Sequence, residues 1–186
     1  MGRCLFCGEC ERVCPSGHIA FSREHRLAAR RREDLLLGDN SLKLAEDAGR
    51  ELVSLLGRSF KVRQVSAGGC NACEADINVL NTPGFDLARF GIQIVASPRH
   101  ADGLLVTGPV PENMRLGLRK TWEAVPSPKI VIACGACAIA GGPYIDHPEC
   151  HNGAASVVPV DLLIPGCPPH PLTILDGLLR LLGKVR

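Results

Sequence analysis

Residues 60–186 read as an α/β domain on a parallel sheet, and three features of the sequence predict it. Short apolar segments at 60–65, 92–95, 103–106, 129–132 and 157–158 have the length and composition of strands. Helical patterns lie among them: one after Pro111, one near 76–80, and a closing stretch that carries Leu172, Leu175, Leu178, Leu179 and Leu182. Glycine-rich turns follow the strands, and cysteines sit in those turns. Repetition of strand, turn and helix gives βαβ units. Their parallel strands are covered on both faces, and their binding sites form beyond the strands' carboxyl ends.

The 186 residues suffice for one core with an attachment. The boundaries read as an N-terminal module at 1–37, a connecting helix at 38–59 and the main domain at 60–186. A net charge of +2 with 22% charged residues leaves no electrostatic footprint for nucleic acid, which is excluded as a partner. No apolar run approaches the roughly 20 residues of a membrane span, so membrane association is expected only through other subunits. Ten cysteines are too many to be incidental. The chain is long for a disulfide-stapled scaffold and opens without an apolar leader, which together point to a reducing compartment and metal-bound thiolates.

Along the chain, the first motif is Cys4, Cys7, Cys10 and Cys14 followed by Pro15. This C-x2-C-x2-C-x3-C-P run has the bacterial ferredoxin spacing for a four-iron cluster, with a structural zinc site as the alternative. Short intervals let one loop wrap a cubane while its amides face the sulfides. In two-cluster ferredoxins the fourth cysteine of such a run ligates the other cluster, and this chain has a single run. The module therefore reads as half a ferredoxin. Cys14 closes its own cluster, or the missing half comes from another subunit or from a second copy of this chain. Residues 19–21 suit a short strand, and Arg26, Arg30, Arg31 and Arg32 a solvated face. Ser41 then reads as the N-cap of a helix ending before Gly57, with Leu42, Ala45, Ala48, Leu52, Leu55 and Leu56 near one face.

In the main domain, Cys70 and Cys73 follow Gly68 and Gly69, Cys137 follows Gly135-Ala136, and Cys167 lies between Pro165-Gly166 and Pro168-Pro169. Four thiolates suit either zinc or a four-iron cluster, and spacing does not decide between them. Cys134, three residues before Cys137, competes for the same place, and Cys150 reads as a spare thiol. Glu74 and Asp76, just after the second cysteine of the pair, would either cap the helix that starts there or handle protons. Arg99 and His100 would line an interface, support the cluster, or form a plain surface pair.

Taken together, Cys70-Asn-Ala-Cys73-Glu74, Phe90-Gly91, Ala96-Ser-Pro-Arg99-His-Ala-Asp102, Val106-Thr-Gly-Pro-Val110, Gly135-Ala-Cys137 and Pro165-Gly-Cys167-Pro-Pro169 resemble one family. It is the small subunit of group 4 nickel-iron hydrogenases, the energy-converting and formate hydrogenlyase type, homologous to the 20 kDa subunit of respiratory complex I. The N-terminal run separately resembles the second cluster motif of the eight-iron ferredoxin subunit of the same complexes, as though neighbouring subunits were fused. The resemblance implies a flavodoxin-like domain holding a proximal four-iron cluster on Cys70, Cys73, Cys137 and Cys167, with Cys137 matching the family's glycine-x-cysteine pattern. A second cluster is expected on Cys4, Cys7, Cys10 and Cys14.

The resemblance further implies a large-subunit partner holding the nickel-iron centre, and an electron-transfer role with no catalytic residue in this chain beyond proton handling at Glu74 and Asp76. A ferredoxin-like subunit, or a second copy of this chain, and membrane subunits are the other expected partners. The expected location is the inner face of the cytoplasmic membrane. Cys70-x2-Cys73 is the hydrogenase form, where complex I has adjacent cysteines. The lack of a twin-arginine leader and of a cysteine-rich C-terminal domain favours the cytoplasm-facing branch. Two rival functions are a complex I-like subunit of a quinone- or other acceptor-linked enzyme without nickel, and a zinc-stabilised interaction protein.

Overall fold

The computed structural model describes residues 1–37 and 42–185. In chain order its elements are α1 (Glu9–Val13), α2 (Arg50–Leu56), β1 (Phe60–Ser66), α3 (Ala72–Val79), β2 (Ile92–Ile94), β3 (Gly103–Thr107), α4 (Glu112–Ala124), β4 (Ile130–Cys134), α5 (Ala136–Ala140), β5 (Leu162–Ile164) and α6 (Pro171–Leu181). The five strands form one sheet in the order β2-β1-β3-β4-β5, and every pairing is parallel. That is the flavodoxin order, in which the connections reverse direction between β1 and β3 and open a crevice at the strands' carboxyl ends.

Strands covered on both faces need apolar residues at every position. β3 and β4 meet that demand with five buried residues each. Alternate side chains then feed two separate cores. On one face Phe60, Val62, Leu105, Ile132 and Ile164 pack with Ile77 of α3 and with Ile174 and Leu178 of α6. On the other, Val65, Leu104, Val106, Val131 and Leu163 pack with Leu118 of α4 and Ile139 of α5.

Three sequence expectations need correction. Residues 157–158 are no strand: the amides of Val157 and Val158 both bond to the Ala154 carbonyl and close a 3-10 turn. Pairing starts after Asp161, whose carboxylate accepts from the Val131 amide at 2.8 Å while its own N–H reaches the Val131 carbonyl at 2.8 Å. Residues 19–21 likewise form no strand.

The connecting helix is the third correction. Ser41, its expected cap, lies outside the described residues, and the helix covers only Arg50–Leu56. Residues 42–47 are non-helical. Their amides are used elsewhere, Ala45 N–H on the Ala28 carbonyl and Ala48 N–H on the Leu181 carbonyl. Tertiary hydrogen bonds thus replace the helical ones that the same apolar pattern would also satisfy.

The arginine run is only partly solvated. Ala28 and Ala29 are fully buried, and Ala29 exchanges backbone hydrogen bonds with Leu163 at 3.0 and 2.8 Å, antiparallel to the outer edge of β5. Arg30 clamps the same corner by donating to the carbonyls of Asp161 and Asp47. An otherwise open sheet edge is covered in this way by the N-terminal extension. Among the described residues no helix is long and apolar enough to cross a membrane.

Candidate metal centre

The turns that carry Cys70, Cys73, Cys137 and Cys167 lie at the carboxyl ends of the strands, as βαβ topology requires. Cys70 and Cys73 follow β1, with Asn71 between them at φ 70°, a left-handed conformation that asparagine tolerates. Cys137 lies in the first turn of α5 and Cys167 in the turn between β5 and α6. Next to them the exit of β3 is held under strain. Val110, β-branched and fully buried, sits at φ 58°, a conformation that costs about 1–3 kcal/mol. Hydrogen bonds to the Ala67 carbonyl and from the His151 amide fix it there.

Two glycines leave room for the thiols. A Cβ on Gly135 would lie 2.6 Å from Cys73 Sγ, and one on Gly142 would lie 2.6 Å from Cys137 Sγ. Both glycines have positive φ, 95° and 56°, so side chains are disfavoured there by backbone conformation as well. The approach of the cysteines is visible in their acidities. Burial, then the charges of Glu74, Cys137, Cys167 and Cys70, push the Cys73 thiol up to about 12. Burial, then Cys167, Cys70, Glu74 and Cys150, push Cys137 up to about 11. Cys167 is raised by burial and by Cys70.

Cys73, Cys137 and Cys167 are thus held back from ionising by burial and by neighbouring thiols, which a positively charged metal or metal-sulfide core between them would reverse. The donor set is all thiol, soft, and cradled by glycine, so the residues present fit an iron-sulfur cluster. Among the described residues, no three Cys, His, Asp or Glu side chains are gathered closely enough to hold a single metal ion.

Cys134 is different in kind. It is fully buried in β4 and part of a hydrophobic core, and burial raises its thiol well above the usual range. Cys150 proves less remote than its sequence position suggests. It pairs with Pro111 through the backbone, and its charge is felt at Cys137.

Glu74 is buried and accepts from Ser66 Oγ and Thr107 Oγ1. Burial alone would raise its pKa, but those two hydrogen bonds outweigh it and hold the carboxyl below its ordinary value. Neither hydroxyl partner is recognisable from sequence, because each is an isolated residue at a strand end. Asp76 is half-buried on α3, and Arg99 and His100 are exposed in the turn Pro98–His100.

The N-terminal run is arranged more loosely. Cys7 and Cys10 are exposed, Cys4 and Cys14 half-buried, and α1 buries no residue. Cys4 Sγ accepts from the Phe6 amide at 3.3 Å. Cys14 lies 3.6 Å from Ser16 Oγ. The Ser16 hydroxyl and the backbone amides of Ile19 and His18 lower its pKa to about 7. A groove of about 810 Å³ is lined by Cys4, Phe6, Cys10 and Phe21 together with Pro168 and His170.

Comparison with known proteins shows the family. The family model described as NADH ubiquinone oxidoreductase, 20 Kd subunit, matches residues 70–181, a span that starts at Cys70 and includes Cys73, Cys137 and Cys167. A probable membrane-bound hydrogenase subunit, mbhJ, of Pyrococcus furiosus is 40% identical over 150 residues, which is 81% of this chain and 90% of the relative. Formate hydrogenlyase subunit 7 of Escherichia coli is 46% identical over 132 residues, 71% of this chain and 52% of that one, so this chain spans about half of it. Among solved structures, a chain of the membrane-bound sulfane sulfur reductase, an archaeal respiratory membrane complex, is 33% identical with a TM-score of 0.62 over 72% of this chain and 73% of its own.

Proposed function

Because the chain belongs to the family of the 20 kDa subunit of NADH ubiquinone oxidoreductase and its relatives in membrane-bound hydrogenases, we propose that it is the electron-transfer small subunit of a membrane-associated group 4 nickel-iron hydrogenase. Cys70, Cys73, Cys137 and Cys167 hold one four-iron cluster. Cys4, Cys7, Cys10 and Cys14 serve a second in the module at 1–37. A bound cluster supplies a one-electron carrier. The nickel-iron centre belongs to a large-subunit partner, and electrons pass between it and ferredoxin-like clusters by way of this chain.

The observation that supports the reading is that the turns carrying the four thiols all lie at the carboxyl ends of strands in one sheet, near enough for neighbouring thiols to oppose the ionisation of Cys73 and Cys137. The residues around it prepare the site: Gly135 and Gly142 leave space for sulfur, and Val110 locks the neighbouring turn. A groove lined by Cys4 and Cys10 and by Pro165, Gly166, Pro168 and Pro169 of the turn around Cys167 supports a relay between the two cysteine regions. Asp76, half-buried on α3 and close enough for its charge to reach Cys134, is the residue left to handle protons.

A second reading has its own support in the 33% identity to a chain of a sulfane sulfur reductase complex. In it, the chain keeps its clusters and serves a partner that lacks nickel and uses another acceptor. Metal analysis of the complex purified through this chain separates the two. Iron near eight per chain, about four for each of two clusters, with nickel in the co-purifying large subunit, supports the hydrogenase. Iron without nickel supports the second reading, and zinc without iron overturns both.

A further inference from the structure

Among the described residues Glu74 is the one buried acid, 6% exposed. Its Oε1 accepts hydrogen bonds from Ser66 Oγ at 2.6 Å and from Thr107 Oγ1 at 2.6 Å. Ser66 ends β1, Thr107 ends β3, and the two are paired in register across the parallel ladder. The same oxygen fills the space under the cysteine turn, where a Cβ on Gly69 would meet it at 3.2 Å and the Gly108 Cα at 3.4 Å. One carboxylate oxygen thus ties together two strand ends and lies beneath the turn that leads into Cys70, at the point where the connections reverse direction.

We infer that Glu74 is a positioning residue, fastening the 70–73 turn to the ends of β1 and β3 and setting a fixed negative charge beside the cluster that keeps its reduction potential low. This rests on the cluster assignment proposed above. Two hydroxyls that both donate to one oxygen are the partners of an acceptor, and an ionised carboxylate is acceptor-only. Both partners are neutral, so the charge is held in place without being cancelled. A nearby anion opposes the arrival of an electron on a cluster that is already anionic, and local charge is one of the determinants of cluster potential.

The test compares Glu74→Gln and Glu74→Ala in the complex purified through the full chain. The signal of this cluster is first assigned as the one that disappears in Cys70→Ser. Glutamine keeps the shape and an oxygen that accepts both hydroxyls but removes the charge. It is expected to retain wild-type iron while the midpoint in an EPR-monitored redox titration moves upward. Alanine removes the tie as well and is expected to lose iron to a chelator faster than wild type, with glutamine restoring retention. A Glu74→Gln midpoint equal to wild type, or an alanine variant that holds iron as firmly as wild type, overturns the inference. If no signal is lost in Cys70→Ser, the cluster assignment itself fails, a separate and recognisable outcome that overturns both.

Discussion

The two cysteine regions of this chain are built on different principles. In the α/β domain, strands that end at one edge of the sheet bring Cys70, Cys73, Cys137 and Cys167 together from positions far apart in sequence, and glycines keep the space between them open. In the N-terminal module four cysteines lie within eleven residues on a loop whose one helix buries nothing, and two of them are exposed. The first arrangement is dictated by topology and persists through the packing of two cores. The second depends on local backbone contacts around each sulfur, so with the proposed cluster bound its final form would rely more heavily on the metal.

The largest effects that sharpen this contrast come from removing ligands. Cys70→Ser and Cys7→Ser are each expected to lower iron by about four atoms per chain, the former leaving the N-terminal cluster and the latter leaving the other. Iron assays paired with visible spectra check this, and loss of all iron from Cys7→Ser would show that the two regions are not independent.

A smaller change tests the glycine cradle. Gly135→Ala places a methyl 2.6 Å from Cys73 Sγ at a backbone conformation with φ 95° and ψ 155°, at a cost of about 1–3 kcal/mol from conformation alone. It is expected both to lower the unfolding free energy and to displace the thiol, so that iron falls. Gly8→Ala is the matched control in the other region, with φ 77° and nothing within 4 Å. Only a conformational cost of about 1 kcal/mol is expected there. Denaturant unfolding and iron content of both variants, measured side by side, would break the comparison if Gly8→Ala also emptied the site after β1.

Much of this was legible in the sequence, and what escaped has physical causes. β3 and β4 are apolar on both faces, which little but a covered parallel strand explains, and the cysteine turns after β1 and β4 are marked by glycine. The fifth strand was misplaced because Val157-Val158 and Leu162–Ile164 are equally apolar, and the carboxylate of Asp161, a tertiary partner of Val131, decides between them. The connector lost half its helix because Ala45 and Ala48 satisfy their amides on other segments. Cys134 and Cys137 share a tripeptide spacing with the other pair, yet strand geometry points one into the core and leaves the other half-buried at the crevice. Ser66 and Thr107 carried no signal because their partner, Glu74, is 8 and 33 residues away.

The smallest expected effect lies at the start of α4. Hydrogen bonds from Arg115, then His151, lower the Glu112 carboxyl from an ordinary 4.5 to about 2. A depressed folded value means that the contribution to stability is complete above the unfolded value and disappears as pH falls from 4.5 through about 2. Both groups are exposed, so the change is slight. Glu112→Gln should flatten that part of the pH dependence of thermal unfolding while leaving iron at both cysteine regions intact.

The most direct test of the central claim is the iron content of the purified complex with Cys137→Ser set beside Cys134→Ser. Cys137→Ser is expected to lose one cluster, about four iron atoms per chain, while Cys134→Ser keeps its full iron complement despite altering a buried core position. The reverse pattern, or iron unchanged in both, would contradict a cluster held at the strand ends by Cys70, Cys73, Cys137 and Cys167.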